Sequence, residues 1–338
     1  MRNAWIVGRG RVRAVVAGFM VLAGLGMLAG GLPPATSASA ATAGSQAVAS
    51  ADPVIAAAGD IACDPANASF KAGNGTANAC REKYTSNLLV NATLAAVLDL
   101  GDTQYYCGGY QAFLQSYDPT WGRVLSMTHP VPGNHEYLTS GGTGCNAANK
   151  GASGYFSYFG SAAGKPGQGY YSFDIGAWHI VALNSACGSV GGCGLTSPQG
   201  TWLANDLKTH TKFCTLAFWH VPLFSSGGRA SSSTKPFWQL LYDNNADVVL
   251  SAHDHIYERF APQTPSGTLD TARGIREFIV GTGGAVHTGL VTIAANSEVR
   301  NASTYGVLEL TLHPTGYTWQ FVPEAGKAFT DSGSGACH

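Results

Sequence analysis

Five short stretches carry side chains that a pair of metal ions could use: Gly59-Asp60, Gly101-Asp102-Thr103-Gln104-Tyr105, Gly133-Asn134-His135-Glu136, His220 and His253-Asp254-His255. Two ions held about 3.5 to 4 Å apart can activate water, clamp an oxyanion and stabilise a leaving oxygen. Such a pair is well served by one carboxylate that touches both. Asp102 fits that role: it is central in the order and follows a glycine at which the chain can turn tightly. Asp60 would bind one ion, and Asn134 would offer the other a neutral carbonyl oxygen. His220, His253 and His255 would complete the shell as imidazoles. An extended His-x-His points both rings to one face, so His253 and His255 could reach adjacent ions. Glu136, Asp254 and Glu258 could orient imidazoles through their second nitrogens, although a solvated carboxylate is the plainer reading of each.

Taken singly, these stretches say less. A lone Gly-Asp is commonly a turn, and a lone His-x-His can be a surface or core pair. Five in this order argue for one joint site.

The elements that must position them are legible as apolar runs. Val54 to Ala58, Ala95 to Leu100, Phe213 to Trp219 and Val248 to Ser251 read as buried strands, each followed directly or after one small residue by a candidate ligand. Helical spacing marks Arg81 to Thr93, Tyr110 to Tyr117 and Phe237 to Asp243. Ser197-Pro198 opens a further helix to about Leu207, with serine as its cap. The prolines of His129-Pro130-Val131-Pro132 give an extended approach to Gly133. The glycine-rich stretch from Gly141 to Gly169 reads as a long loop. His179 lies inside a strand, Trp178 to Asn184, as a core or cross-strand residue. Arg276 to Val280, Gly306 to Leu312 and Thr318 to Val322 read as an antiparallel finish. Strand alternating with helix is an α/β plan, in which ligands gather at strand ends.

The first 40 residues have the pattern of an export signal: Arg2, Arg9, Arg11 and Arg13, an uncharged run from Ala14 to Leu32, then a small-residue site at Ala38-Ser39-Ala40. An uncleaved anchor is the alternative, against which stand five glycines in the run and the cleavage site behind it. Residues 41–51 read as a small-residue tether and residues 52–338 as one catalytic domain. Secretion is therefore expected, with no membrane anchor after cleavage. The chain carries a formal charge of -1, and the leader's four arginines leave the remainder near -5. That argues against nucleic acid as a partner held by bulk charge.

Eight cysteines without a Cys-x-x-Cys favour disulfides over a thiolate metal cluster. Eight allow 105 pairings. Proximity and order alone select Cys63 with Cys80, Cys107 with Cys145, Cys187 with Cys193, and Cys214 with Cys337.

The ligand order resembles that of the calcineurin-like metallophosphoesterases and, within them, the purple acid phosphatases, over about Val54 to Val322. The resemblance implies a four-layer α-β-β-α sandwich with two mixed β-sheets. It implies that Asp60, Asp102, Tyr105 and His255 hold one ion, that Asp102, Asn134, His220 and His253 hold the other, and that His135 is an acid outside the metal shell. Many relatives carry Asp-x-His in the first block, whereas this chain has Asp60-Ile61-Ala62 and places Tyr105 three residues after Asp102. Phenolate suits Fe(III), so iron paired with zinc, manganese or iron is expected, a manganese and zinc pair being the alternative. A packed core aromatic is the competing reading of Tyr105. Ala62, Ala217 and Ala252 depart from the family pattern by small steric changes. No histidine occurs from Val221 to Leu250, where purple acid phosphatases tend to place substrate contacts. Arg229, the turn at Ser225-Ser226-Gly227 and His287 are the candidates left.

The implied activity is hydrolysis of phosphate monoesters by in-line attack of a metal-bound hydroxide, on a phosphorylated small molecule or polymer. A phosphodiesterase acting on nucleotides or lipid headgroups is the rival within enzymes. A non-catalytic exported metal or phosphate binder is the rival outside them, and His135 argues against it, since a binder needs no acid.

Overall fold

The computed structural model describes residues 51–338. The expected leader and nearly all of the tether lie outside the described residues. The strands are β1 (Val54–Ala58), β2 (Ala96–Asp99), β3 (Thr128–Pro130), β4 (Tyr171–Ile175), β5 (Trp178–Ala182), β6 (Cys214–Phe218), β7 (Val248–Ser251), β8 (Tyr257–Phe260), β9 (Arg276–Val280), β10 (Ser297–Asn301), β11 (Gly306–His313), β12 (Gly316–Pro323) and β13 (Ser332–Ala336). The helices are α1 (Glu82–Val90), α2 (Tyr110–Ala112), α3 (Ser153–Phe159), α4 (Pro198–Thr209) and α5 (Lys235–Asp243).

One sheet runs β13-β12-β11-β1-β2-β3 and the other β10-β8-β9-β7-β6-β5-β4. Both are mixed. In the first, β1, β2 and β3 are parallel and β11 to β13 antiparallel. In the second, β5, β6, β7 and β9 are parallel, with antiparallel strands at each edge.

Alternation along the strands builds the layers. Trp178, Ile180, Ala182, Leu216, Phe218, Val248 and Leu250 join Ile55, Val97, Leu308 and Leu310 in one core shared by the two sheets. Their sequence neighbours Val181, Leu183, Ala217, Trp219 and Val249 instead pack with Leu203 and Leu207 of α4 and with Phe237, Trp238 and Leu241 of α5. A strand covered on both faces has no polar side, which is why these segments read as unbroken apolar runs. Each fully buried aliphatic or phenylalanine adds roughly 1.5 to 3 kcal/mol.

Some expectations are corrected. The helix expected over Tyr110 to Tyr117 is one α turn that widens into a π turn at Phe113–Tyr117. The loop expected from Gly141 to Gly169 contains α3, whose Tyr155, Phe156 and Phe159 enter the core. Aromatics embedded among glycines were the local sign of it. Arg276–Val280 does not belong to an antiparallel finish with β11 and β12: it lies in the other sheet, parallel to β7 and antiparallel to β8. Pairing partners are set by packing over the whole chain, so alternation alone could not assign the sheet. Other expectations hold. Ser197 Oγ caps α4 by accepting from Gly200 N at 3.0 Å. His179 is a cross-strand residue, bonded to Asp174 and Asp206 at 2.9 Å each. The four disulfides are Cys63–Cys80, Cys107–Cys145, Cys187–Cys193 and Cys214–Cys337.

Candidate metal centre

All five stretches lie just past the C-terminal ends of parallel strands, β1, β2 and β3 in one sheet and β6 and β7 in the other. Parallel strands open a crevice there because their connections cross over and leave it. The loops are laced together through their backbones. Asp60, Ile61 and Ala62 N–H donate to the carbonyls of Gly101, Asp102 and Thr103 at 3.0 Å, while Gly59 N donates to Val280 O in the opposite sheet at 2.9 Å.

Close approach requires small residues. A Cβ on Gly101, whose φ is +88°, would lie 2.8 Å from Gly133 N and 2.9 Å from His220 Cβ. One on Gly133 would lie 2.1 Å from Asp102 Oδ1. Ala252, one of the departures from the family pattern, is accommodated because its neighbour Gly59 has no side chain: a Cβ there would sit 2.6 Å from Ala252 Cβ. Asp60, Asp102 and His253 themselves adopt left-handed backbone, φ 57°, 47° and 71°. Such conformations cost of order 1 to 3 kcal/mol each for L residues and collect at functional sites.

Two clusters share Asp102. In the first, Tyr105 Oη lies 2.9 Å from Asp60 Oδ1, 3.3 Å from Asp102 Oδ2 and 3.1 Å from His255 Nε2, and His255 Nε2 lies 3.3 Å from Asp60 Oδ1. Tyr105 is therefore not simply a packed aromatic. In the second, His220 Nε2 lies 3.1 Å from Asp102 Oδ2 and 3.1 Å from His253 Nδ1. The backbone N–H of His253 donates to Asp60 Oδ2 at 2.8 Å, joining the clusters across the two sheets. Because His253 has positive φ, His253-Asp254-His255 is not the extended segment expected. Its two rings diverge, one to each cluster. Asn134 is exposed and starts the short turn His135–Tyr137 without capping it, so its amide is not engaged in the turn.

The ring orientations are fixed by backbone carbonyls. His220 Nδ1 donates to Leu100 O at 2.9 Å and His255 Nδ1 to Val286 O at 2.6 Å, which turns each Nε2 inward. The carboxylates expected to orient the rings do other work among the described residues. Glu136 accepts from Asp102, Gln104 and Gly133 N–H. Asp254 and Glu258 hold residues 225–229, Asp254 through Ser225 Oγ and Arg229 N, and Glu258 through Ser226 N and Oγ. Glu136 is thus satisfied by three N–H donors and Glu258 by Ser226 and Ser297, and none of the three carboxylates hydrogen-bonds a ring nitrogen of His220, His253 or His255, although Asp254 Oδ1 is buried without a partner among the described residues.

Charge distribution shows what the clusters demand. Burial alone would raise Asp60 and Asp102, but His255 and His220 outweigh it for Asp60, and His220 and His135 for Asp102, holding both below the usual carboxylate range. Burial opposes charging His220, yet Asp102 draws it up to about 9. Burial and the charge of His220 push His253 down to about 4. Burial and the two aspartates push the Tyr105 phenol well above its ordinary value. Two imidazole nitrogens 3.1 Å apart need a proton or a cation between them, and the oxygen-rich first cluster needs positive charge. These donor sets fit metal ions: Asp60, Asp102, Tyr105 and His255 are mostly hard oxygen donors, while Asp102, His220 and His253 suit a borderline divalent ion.

Beside the clusters opens a cavity of about 430 Å³ whose lining includes Tyr105, Tyr106, His135, His255, Arg229 and Asp64. His135 Nδ1 donates to Tyr106 O at 2.7 Å, its N–H donates to Asp102 Oδ1 at 2.9 Å, and its Nε2 is 3.9 Å from Asp102 Oδ2. Of the three candidate substrate contacts, Arg229 alone lines this cavity. Ser226 is fully buried, its Oγ taken by Glu258 and by Ala294 N–H. His287 donates to His255 O at 2.9 Å, packs on Tyr305 at 4.0 Å and is not among the residues lining the cavity. A glycine pair and a serine turn suggested proximity, but the loops' own hydrogen bonds turn these side chains inward. Tyr106 and Asp64 at the cavity were not among the sequence candidates. The adjacency of Tyr106 to Tyr105 was the available sign.

The family profile described as calcineurin-like phosphoesterase matches residues 54–257. Purple acid phosphatase 15 of Arabidopsis thaliana is 31% identical over 164 residues, 43% of this chain and 29% of its own length. Purple acid phosphatase 13 of the same plant is 29% identical over 223 residues, 60% of this chain and 39% of its own. The chain thus spans well under half the length of these relatives. The structure of purple acid phosphatase PPD1 from yellow lupin seeds superposes with a TM-score of 0.68 at 17% identity, covering 84% of this chain and 54% of that one. PhoD superposes at 0.54 with 13% identity, covering 84% and 69%. At these identities the structural likeness concerns the fold, two mixed sheets flanked by helices.

Proposed function

Because the chain belongs to the calcineurin-like phosphoesterase family, we propose that it hydrolyses phosphate monoesters at a dinuclear metal centre. The observation that carries this reading is the position of Asp102, whose Oδ2 lies 3.3 Å from Tyr105 Oη in one cluster and 3.1 Å from His220 Nε2 in the other. One ion would be held by Asp60, Asp102, Tyr105 and His255, the second by Asp102, Asn134, His220 and His253. Bound there, two cations would supply an activated water and neutralise charge on the phosphoryl oxygens. Iron with zinc, manganese or iron is the composition we favour, on account of the phenol.

The chain's own residues do the rest. His135 Nδ1 is committed to Tyr106 O, so Nε2 is the nitrogen that can give a proton to the departing alkoxide. Arg229, its backbone N–H held by Asp254, brings a cation to the edge of the cavity, where a phosphoryl oxygen can pair with it. Glu136 gathers Asp102, Gln104 and Gly133 and keeps the ligand loops in register.

Four disulfides suit an oxidising compartment, which supports secretion of a domain comprising residues 52–338 after removal of a leader at residues 1–40. Among the described residues no helix is long and apolar enough to cross a membrane. The deciding experiment supplies iron, zinc or manganese to purified protein and assays 4-nitrophenyl phosphate beside its bis-ester. Turnover of the monoester is expected. Turnover of the diester alone would replace the reading with a phosphodiesterase, and turnover of neither would overturn it.

A further inference from the structure

Tyr106 lines the cavity beside His135. Its carbonyl fixes His135 through Nδ1, and its ring meets the His135 ring edge-on with centroids 4.8 Å apart. Both rings line the same cavity, so a group that takes a proton from His135 there has the Tyr106 ring within reach. Tyr106 is 47% exposed and lines the cavity. Its other side is supported: a Cβ on Gly141 would lie 2.6 Å from Tyr106 Cδ1, and one on Gly142 would lie 3.0 Å from Tyr106 Cβ. The next residue, Cys107, is tied to Cys145 beyond those glycines, so the segment carrying the ring is closed into a loop. A half-exposed aromatic with a supported back is a stacking platform.

The charges around it are balanced. Of the residues lining the cavity, Arg229 is the one lysine or arginine, and Asp64 is the one carboxylate, fixed by Ala66 N, Thr143 N and Thr143 Oγ. Apart from the proposed metal centre and its histidines, an anionic leaving group would find one guanidinium set against one carboxylate. We propose that Tyr106 forms the leaving-group subsite of this centre and selects flat, uncharged alcohols, aryl above all, over small alkyl or negatively charged ones. This rests on the phosphoesterase reading above.

The test compares phenyl phosphate, ethyl phosphate and 4-carboxyphenyl phosphate on metal-loaded wild type, Tyr106→Phe and Tyr106→Ala. In wild type, phenyl phosphate should be preferred over 4-carboxyphenyl phosphate. Tyr106→Ala should raise KM for phenyl phosphate about tenfold and leave KM for ethyl phosphate within about twofold, and Tyr106→Phe should restore the phenyl value. Calorimetry with phenylphosphonate and methylphosphonate supplies a readout independent of turnover: the alanine variant should lose the preference for the phenyl compound. If the alanine variant treats both esters and both phosphonates alike relative to wild type, or if the carboxylated ester is preferred, the subsite is overturned while the hydrolase stands. If wild type turns over none of the esters, the hydrolase reading itself fails and takes the subsite with it.

Discussion

Tyr105 Oη and Asp60 Oδ1 lie 2.9 Å apart although 45 residues separate them in the chain. A phenol so placed among two aspartates resists ionisation, since burial and both carboxylates raise its pKa. Only a strongly charged cation in their midst reverses that balance.

Tyr105→Phe is therefore a spectroscopic variant. Iron-loaded wild type should show a visible phenolate-to-metal band, and the phenylalanine variant should lose it while retaining the iron held by Asp60, Asp102 and His255. Absorption spectra paired with metal analysis check this. A band that survives the substitution would exclude Tyr105 as the ligand.

Asp102 should be indispensable to both ions. Asp102→Asn keeps the left-handed backbone, which asparagine tolerates better than alanine, but weakens both clusters at once. Metal content should fall from about two ions per chain towards none. Chelation of the wild type should likewise lower its melting temperature, because ligands that bind only the folded state stabilise it by mass action. Retention of one tightly bound ion by the variant would show that Asp102 does not link the clusters.

His135→Ala should separate chemistry from metal binding. The backbone N–H that reaches Asp102 remains, so metal content should hold, while kcat falls about 10²- to 10⁴-fold. The loss should shrink for esters of acidic alcohols, which leave without a proton. Equal losses for good and poor leaving groups would remove His135 from the acid's role.

Glu82 offers a pH test away from the ligands. Burial raises its carboxyl to about 7, and hydrogen bonds from Ser116 and the backbone only partly offset this. Between its ordinary value of 4.5 and about 7 the folded chain keeps a proton that the unfolded chain releases. Stability from this group therefore declines as pH rises through that window and levels off above it, by about 3 kcal/mol in all. Glu82→Gln should remove the decline. Urea midpoints measured from pH 4.5 to 7.5 on both proteins check it, and parallel curves would refute it.

The candidate ligands are legible in the sequence because their signal is local. Each of Asp60, Asp102, His220 and His253 follows within a few residues of an apolar strand, and strands buried on both faces announce themselves without knowledge of their partners. The four disulfides were legible for a similar reason, since each pairs cysteines adjacent in chain order. What only the tertiary structure decided is non-local. The nitrogen that each imidazole turns inward depends on the carbonyls of Leu100 and Val286, 120 and 31 residues away. Ser226 and His287 look available from their glycine-rich surroundings, yet Glu258 holds the serine and the His255 carbonyl holds one nitrogen of the imidazole. Which of two adjacent tyrosines meets Asp60, Asp102 and His255 and which is exposed at the cavity depends on loops brought together from both sheets. Residue types and order limit the chemistry a chain can perform; the packing of distant segments decides which atoms are left free to perform it.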